Sequence, residues 1–483
     1  MLLVLEEQGG PRGRQIVGQI QRLIERGNLG PGERLPSTRR LAEQLGLHRS
    51  TVAAAYQELW ALGWLELRPG ALPRVRRREG LVHPEPAPPA GFPWEARLDE
   101  LGWRAPAFPE RPEGDLISFV DLGMDPRLMP LEAFGRSLRA VVRREGSRAL
   151  GYGDPQGQPG LRALLAERLG QHGVRAQASE ILVTCGAQQA LGLALRGLTR
   201  PGDAVLVESP TYDQMLRLLA VQGLRAVPIP EGPEGIDFPA LEGVVRRERP
   251  ALAYVMPSFQ NPTGRCLDPA GRERLLALCE GARLPILEDG FTEEMKYFGR
   301  PMLPLKSMDR AGLVIYAGTF SKVLFPGLRL GFLAAPAPCT AALTALRRVE
   351  ELCPPPLLQE ALEDFIRKGH FDPHLARLHR AFRRRMEAAL AALRREVDPA
   401  LARWEPPTGG YLLWMSLPGL PPGIDLGRAL ASHGIAVREG RPFFPLEAPG
   451  TPCLRLSISN LDEAEIGEGI RRLGRGLRAL AGR

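Results

Sequence analysis

The chain has little lysine: four residues (Lys296, Lys306, Lys322 and Lys368) against 59 arginines in 483 positions. Cysteine is also sparse. The six thiols (Cys185, Cys266, Cys279, Cys339, Cys353, Cys453) show neither metal-ligand spacing nor a paired framework, which argues against a disulfide scaffold or a metal module. They read as reduced, mostly buried thiols of a cytoplasmic protein. Long apolar runs are missing, since none approaches the roughly 18 residues that a membrane span needs. The apolar start Met1-Leu2-Leu3-Val4-Leu5 is followed by Glu6 and Glu7 with no basic region ahead of it, so it does not read as a signal peptide. No internal repeat is visible.

What is present is ordinary in bulk. Apolar content is 44 %, charged content 24 % and net charge +8, the values of a soluble globular protein. The length predicts two or three domains with a large core. The charge is unevenly placed, because residues 1–80 hold 13 arginines against 8 glutamates, a local surplus of +5 compatible with a polyanionic partner. Residues 79–112 hold eight prolines (Pro84, Pro86, Pro88, Pro89, Pro93, Pro106, Pro109, Pro112), a density that no packed domain tolerates. This stretch is predicted to be a linker, part polyproline-like and semi-rigid. From about Asp115 short apolar strands alternate with amphipathic helices, the pattern of an α/β domain.

Within the first 80 residues, Ile16, Ile20, Leu23 and Ile24 fall at helical spacing ahead of Gly27. Ser37 is placed to cap a second short helix containing Leu41 and Leu45, closed by Gly46. A third helix is expected from about Arg49, with Val52, Tyr56 and Leu59 on one face. The short break around Gly46-Leu47 suits a helix-turn-helix. His48, Arg49, Ser50 and Thr51 then lie at the helix end that meets base edges in that motif. Leu65-Glu66-Leu67-Arg68-Pro69-Gly70 and Arg74-Val75-Arg76 suit a two-stranded wing. A small helical domain that packs on the rest of the chain would give the same pattern.

The scarcity of lysine makes Lys322 conspicuous. It sits in Tyr316-Ala317-Gly318-Thr319-Phe320-Ser321-Lys322, after the apolar run Leu313-Val314-Ile315, with Arg329 seven residues later. A lysine, unlike an arginine, can lose its proton and attack an aldehyde. Thr319, Ser321 and Arg329 would suit a phosphate beside that amine, and together they suggest a pyridoxal-phosphate Schiff base; a surface lysine is the plain alternative. In Ile181-Leu182-Val183-Thr184-Cys185-Gly186-Ala187-Gln188 a strand turns through glycine into a helix whose free N–H groups favour an anion. Asn261-Pro262-Thr263-Gly264 is either a capped turn or a source of an amide for a pyridine 3-oxygen. Asp289 ends the strand Ile286-Leu287-Glu288, where it is either a helix cap or a carboxylate for a pyridine nitrogen.

Two resemblances organise these pieces. Pro31-Gly32-Glu33-Arg34-Leu35-Pro36-Ser37-Thr38-Arg39, Leu41-Ala42 and the stretch from Arg49-Ser50-Thr51-Val52 to Tyr56 resemble the winged-helix domain of GntR-type repressors. The resemblance implies DNA contacts from Arg34, Ser37, Arg39, Arg49, Ser50 and Thr51, with Gly70 at the wing, and His48 joins them by its place at the helix start. Ala71-Leu72-Pro73-Arg74 departs from that family's small, Gly-rich wing tip. The order Gly-Ala-Gln, Asn-Pro-Thr-Gly, strand-end Asp, Ser-Lys and Arg resembles fold-type I aminotransferases from about residue 115 onward. This resemblance implies pyridoxal 5'-phosphate on Lys322, with Asp289 at the ring nitrogen and Asn261 at the 3-oxygen. Gly186, Ala187, Gln188, Thr319, Ser321 and Arg329 would hold the phosphate, and Tyr212 would stack on the ring. Tyr152 would reach the phosphate of a partner subunit, and Arg455 would clamp a substrate α-carboxylate. Core packing is the other reading of both tyrosines. Phe291 stands where the family has a tyrosine that meets the 3-oxygen.

The combination resembles the MocR family of transcriptional regulators. It implies a winged helix-turn-helix over residues 1–78, a linker over 79–114 and, over 115–483, an aminotransferase-like α/β domain with a large mixed sheet and a smaller α+β part. The function implied is a homodimeric regulator that binds a double-stranded DNA operator and senses an amine or amino acid through an external aldimine. A working aminotransferase on an α-amino acid and a sensor of pyridoxal phosphate itself are the two alternatives.

Overall fold

The computed structural model describes residues 3–5, 10–76, 94–100, 116–232, 235–299 and 302–482. Contacts divide the chain into two units, Met1–Arg104 and Ala105–Arg483.

In the first unit, α1 (Arg12–Glu25) buries Ile16, Val17 and Ile20. α2 (Thr38–Leu45) starts at Ser37, whose side chain accepts from the Arg40 amide, and ends at Gly46 in the left-handed conformation. α3 (Arg49–Ala61) is capped by His48 and buries Val52, Ala55, Tyr56 and Leu59. β1 (Leu65–Glu66) and β2 (Arg74–Val75) form the antiparallel wing. The amides of Leu35 and Val75 donate to Pro73 and Glu33, adding the segment ahead of α2 to its edge. Tyr56 Oη donates 3.0 Å to the Pro36 carbonyl, tying α3 to the same segment. Inside the proline-rich stretch, predicted as linker throughout, Trp94–Glu100 forms a short helix, α4; the other residues of that stretch lie outside those described. No proline occurs between Trp94 and Glu100, which leaves that segment free to close helical hydrogen bonds.

The second unit begins with β3 (Ile117–Ser118), α5 (Leu131–Glu145), α6 (Pro159–Gln171), β4 (Ile181–Thr184), α7 (Ala187–Leu198), β5 (Ala204–Val207), α8 (Asp213–Val221) and β6 (Arg225–Pro228). A small hairpin, β7 (Glu231–Gly232) and β8 (Gly235–Ile236), leads to α9 (Phe238–Glu248), β9 (Leu252–Val255), α10 (Pro269–Gly281), β10 (Ile286–Asp289), α11 (Leu305–Met308), β11 (Val314–Thr319) and β12 (Gly331–Ala334). There follow α12 (Ala337–Glu351), α13 (Pro356–Arg367), α14 (Phe371–Glu396), β13 (Arg403–Trp404), β14 (Leu412–Ser416), α15 (Leu426–Ala431), β15 (Ile435–Ala436), β16 (Arg438–Glu439), β17 (Cys453–Ser457) and α16 (Glu463–Leu480).

The large sheet has the order β4-β12-β11-β10-β9-β5-β6, and β12 alone runs antiparallel to both neighbours. Its strands are apolar along their length because both faces are covered. Val205, Tyr254, Leu287 and Ile315 feed one core, while Leu206, Ala253, Ile286 and Val314 feed the other. The smaller sheet, β13-β14-β17-β16, is antiparallel throughout, and β3 pairs in parallel with β15. This is the mixed α/β fold that the sequence predicts.

Just after β3, Asp125 is buried and bonds Arg385 of α14 and, at 2.9 Å, Arg127. Two H-bonding arginines outweigh the burial that would raise the Asp125 carboxyl, and its pKa falls below the usual range. The Ser459 hydroxyl donates 3.0 Å to the Asp121 carbonyl. The chain between Phe119 and Asp125 is therefore fixed at both ends against the smaller sheet and α14.

Gly331 opens β12 where three strand ends crowd. A Cβ there would lie 2.8 Å from the Gly186 carbonyl carbon, 2.8 Å from the Gly318 oxygen and 3.0 Å from the Ala187 nitrogen, all backbone. Gly331→Ala is expected to cost about 1–3 kcal/mol, as overpacking usually does, measured by denaturant unfolding of the second unit. An unchanged midpoint would contradict this packing.

Candidate functional site

Each unit carries one concentration of candidate residues. At the start of α3, His48, Arg49 and Ser50 are exposed beside the half-buried Thr51. His48 Nδ1 lies 2.6 Å from Ser50 Oγ, so the cap also orients the Ser50 hydroxyl. Arg49 Nε reaches Thr38 Oγ1 across the turn at 3.4 Å. Arg39 pairs with Glu43 one turn along α2 at 3.2 Å, both side chains well exposed, so this contact adds little stability. Ser37 is engaged as the α2 cap. Arg34 forms an antiparallel β-bridge with Arg74 at the wing edge, and Gly70 turns the wing with φ +75°. The departing wing tip places Leu72 partly in solvent.

In the second unit the candidates collect at the carboxyl ends of the parallel strands, the edge where open α/β sheets hold ligands. Gly186 follows β4, Tyr212 follows β5, Asn261 follows β9, Asp289 ends β10 and Thr319 ends β11. Lys322 comes three residues later and is partly buried. Its ammonium donates 3.0 Å to the Leu122 carbonyl. Burial, with help from Arg455 and Arg329, pulls its pKa down to about 8, while Asp289 resists. Asp289, buried, is pushed up to about 6 by desolvation, opposed by a hydrogen bond from Tyr254, the Phe291 amide and the Lys322 charge. Arg455 of β17 is buried and its pKa falls to about 10, again through desolvation. It donates 3.3 Å to Asn261 Oδ1 and 3.0 Å to the Val120 carbonyl. Arg329 donates 3.0 Å to the Cys185 carbonyl.

Lys322, Arg455 and Arg329 are thus each partnered by a backbone carbonyl. A neutral carbonyl is a weaker partner for a cation than an anion is. The arrangement favours anionic ligands at Arg329 and Arg455, with an amine of lowered pKa between them. Gly186 adopts φ +90°, and a Cβ on it would meet the Arg329 guanidinium at 3.2 Å. Only glycine lets Arg329 lie against the start of α7, where Ala187 opens a helix with free N–H groups. Tyr212 Oη donates 3.3 Å to Gln188 Oε1, and the Thr319 hydroxyl accepts 3.2 Å from the Ser321 amide. Tyr152 is not brought to this site by its own chain and is 86 % exposed. Phe291 is buried.

Three features escaped the reading of the sequence. Tyr254, there only a residue of an apolar strand, donates 2.9 Å to Asp289 Oδ2. Tyr411 is buried with its hydroxyl unpartnered among the described residues, and burial raises its pKa against the opposing charge of Arg455. Arg438 stands directly opposite Arg455 on the neighbouring strand and pairs with Asp213 at 2.7 Å.

Comparisons with known proteins identify the families of both parts of the chain. Residues 12–71 match the model of the gntR family of bacterial regulatory proteins, and residues 125–473 match that of aminotransferase class I and II. The regulator TauR of Rhodobacter capsulatus is 34 % identical over 94 % of this chain and 93 % of its own. The probable rhizopine catabolism regulatory protein MocR of Rhizobium meliloti is 32 % identical over 98 % of this chain and 95 % of its own. Among solved structures, LysN, the alpha-aminoadipate aminotransferase of Thermus thermophilus complexed with N-(5'-phosphopyridoxyl)-L-leucine, superposes with a TM-score of 0.71. It is 36 % identical and covers 76 % of this chain and 93 % of its own.

The residues fit a phosphorylated pyridine aldehyde. Asp289 Oδ1 is buried without a partner among the described residues, which suits a protonated ring nitrogen. The Gly186 turn with Arg329 suits a phosphate, and Lys322 suits the aldehyde as an amine of lowered pKa.

Two outcomes follow. The amine form of Lys322 predominates above about pH 8, so reductive labelling by pyridoxal phosphate and borohydride should quicken as pH rises through that value. Peptide mapping should find the label on Lys322, and labelling of another lysine would contradict the site. On the DNA side, Arg49→Ala should relax preference among operator variants. Arg39→Ala should instead weaken all sequences alike and reduce the salt slope by about one. Gel shifts with unchanged preference for Arg49→Ala would overturn that division.

Proposed function

The chain belongs to the MocR family of transcriptional regulators, a gntR-type DNA-binding domain joined to an aminotransferase class I and II domain that takes pyridoxal phosphate, and from that premise we propose that it senses an amino acid at the aminotransferase-like site and transmits binding to its DNA-reading unit. The cofactor supplies an aldehyde that captures amines and a ring that withdraws electrons. On this reading Lys322 holds the aldehyde carbon, Asp289 the ring nitrogen and Asn261 the 3-oxygen, with Tyr212 against the ring. Gly186, Ala187, Gln188, Thr319, Ser321 and Arg329 hold the phosphate. Arg455 takes the ligand carboxylate, which makes an amino acid a better effector than a simple amine.

One observation carries the sensing reading. The carbonyls of Val120 and Leu122 occupy Arg455 and Lys322, and these residues come just past β3, which follows the 79–114 stretch that leads from the DNA-binding half. A carboxylate that engages both faces of the Arg455 fork competes with the Val120 carbonyl. The ligand then has different affinities for the two positions of this segment, the condition for shifting an equilibrium between them.

A second copy of the chain completes the proposal. Leu150, Tyr152, Val349 and Leu352 are 69 %, 86 %, 86 % and 54 % exposed. The two pairs are drawn together by a hydrogen bond from the Gly153 amide to Cys353 Sγ at 3.3 Å. An apolar patch of this kind supports self-association, and a two-fold dimer would present two DNA-reading heads to a paired operator.

A working aminotransferase is the second reading, favoured by the likeness to LysN and by the convergence of Lys322, Asp289, Asn261 and Arg455. The lost hydroxyl at Phe291 favours holding a ligand over converting it, since general acid–base and electrostatic tuning of this kind is typically worth about 10²- to 10⁴-fold in rate. The test titrates operator DNA with cofactor-saturated protein in the presence of a panel of amino acids and simple amines. At least one amino acid should change DNA affinity in the wild type. Arg455→Gln should retain DNA binding and cofactor absorbance yet lose that response by about tenfold or more in effector concentration. A response undiminished in Arg455→Gln would refute the assignment, and rapid steady turnover of amino acid with a 2-oxo acid would favour the enzyme.

A further inference from the structure

Tyr254 and Asp289 occupy neighbouring parallel strands. Tyr254 is registered opposite Leu287, so it shares a face of the sheet with Asp289 two residues further on. The tyrosine is fully buried and Asp289 is 2 % exposed. Tyr254 Oη donates 2.9 Å to Asp289 Oδ2, while Oδ1 has no partner among the described residues. Burial and the adjacent carboxylate hold the Tyr254 hydroxyl well above its ordinary pKa, so it remains a donor at every working pH. One carboxylate oxygen is thereby committed and the other left without a partner among the described residues.

We propose that Tyr254 is a positioning residue that fixes the Asp289 rotamer and keeps the carboxylate ionised, so that the free oxygen can hold the cofactor's ring nitrogen in its protonated form. An isolated buried carboxylate prefers to be neutral, and a neutral acid would not favour a protonated ring. The Phe291 amide alone does not offset that preference, because Asp289 rests at about 6 even with both donors in place.

The inference rests on the assignment of Asp289 made above, and the test separates the two. Dissociation constants are measured for pyridoxal phosphate and for its analogue with carbon in place of the ring nitrogen, on full-length wild type, Tyr254→Phe, Asp289→Asn and the double variant. Wild type should prefer the natural cofactor, and Tyr254→Phe should shrink that preference about tenfold or more, the effect of a hydrogen bond to a charged group. Equal weakening of both cofactors in Tyr254→Phe would mean a structural role only and would overturn the proposal. If wild type shows no preference, the Asp289 assignment itself falls. Should Tyr254→Phe fail to fold, the double variant, in which no buried carboxylate is stranded, keeps the question open to measurement. It should match Asp289→Asn in cofactor preference, and a further drop on adding Tyr254→Phe would overturn the proposal.

Discussion

The partly buried Lys322, the buried Arg455 and the exposed Arg329 stand around one site, where Asp289 acts on Lys322 and Asp213 acts on Arg455. Charge in a low-dielectric interior has to be partnered or moved toward neutrality. Both happen here. Lys322 and Arg455 lose basicity, Asp289 gains it, and each cation borrows a backbone carbonyl. The site is stable in this state, yet every carbonyl contact is replaceable by a better anionic partner. A phosphate at Arg329 and a carboxylate at Arg455 would relieve the same imbalance. Electrostatics alone therefore favours anionic groups at Arg329 and Arg455.

The fold supplies the convergence. Parallel strands deliver Gly186, Tyr212, Asn261, Asp289 and Thr319 to one edge, and the smaller sheet contributes Arg455. The segment Phe119–Asp125 lies between, pinned by the Asp125–Arg385 pair at one end and by the Phe119 amide on the Ala436 carbonyl at the other. Between these anchors the carbonyls of Val120 and Leu122 serve Arg455 and Lys322, while that of Asp121 is held by Ser459. This segment follows the joining stretch in sequence and carries the carbonyls that Arg455 and Lys322 hold.

Much of this was legible in the sequence, for identifiable reasons. Lys322 stood out because the chain otherwise uses arginine, and Asp289 because an acid closes an apolar strand. Ser37 and Gly46 marked the bounds of α2 through cap chemistry that is local. What was not legible depends on register or backbone. The Tyr254–Asp289 bond needs the pairing of β9 with β10, which no local pattern encodes. The carbonyls of Val120 and Leu122 belong to backbone and leave no mark on residue identity. The helix Trp94–Glu100 was masked by prolines on either side of it.

The central claim is that ligand binding at Arg455 releases the segment that leads to the DNA-binding half. Hydrogen exchange of a peptide spanning residues 117–124, in cofactor-saturated protein with and without an amino acid that perturbs the cofactor's absorbance, tests it most directly. The account predicts faster exchange in that peptide on amino-acid binding, with the buried strands β9 and β10 unchanged. Unaltered exchange across 117–124 while the absorbance confirms occupancy would contradict it.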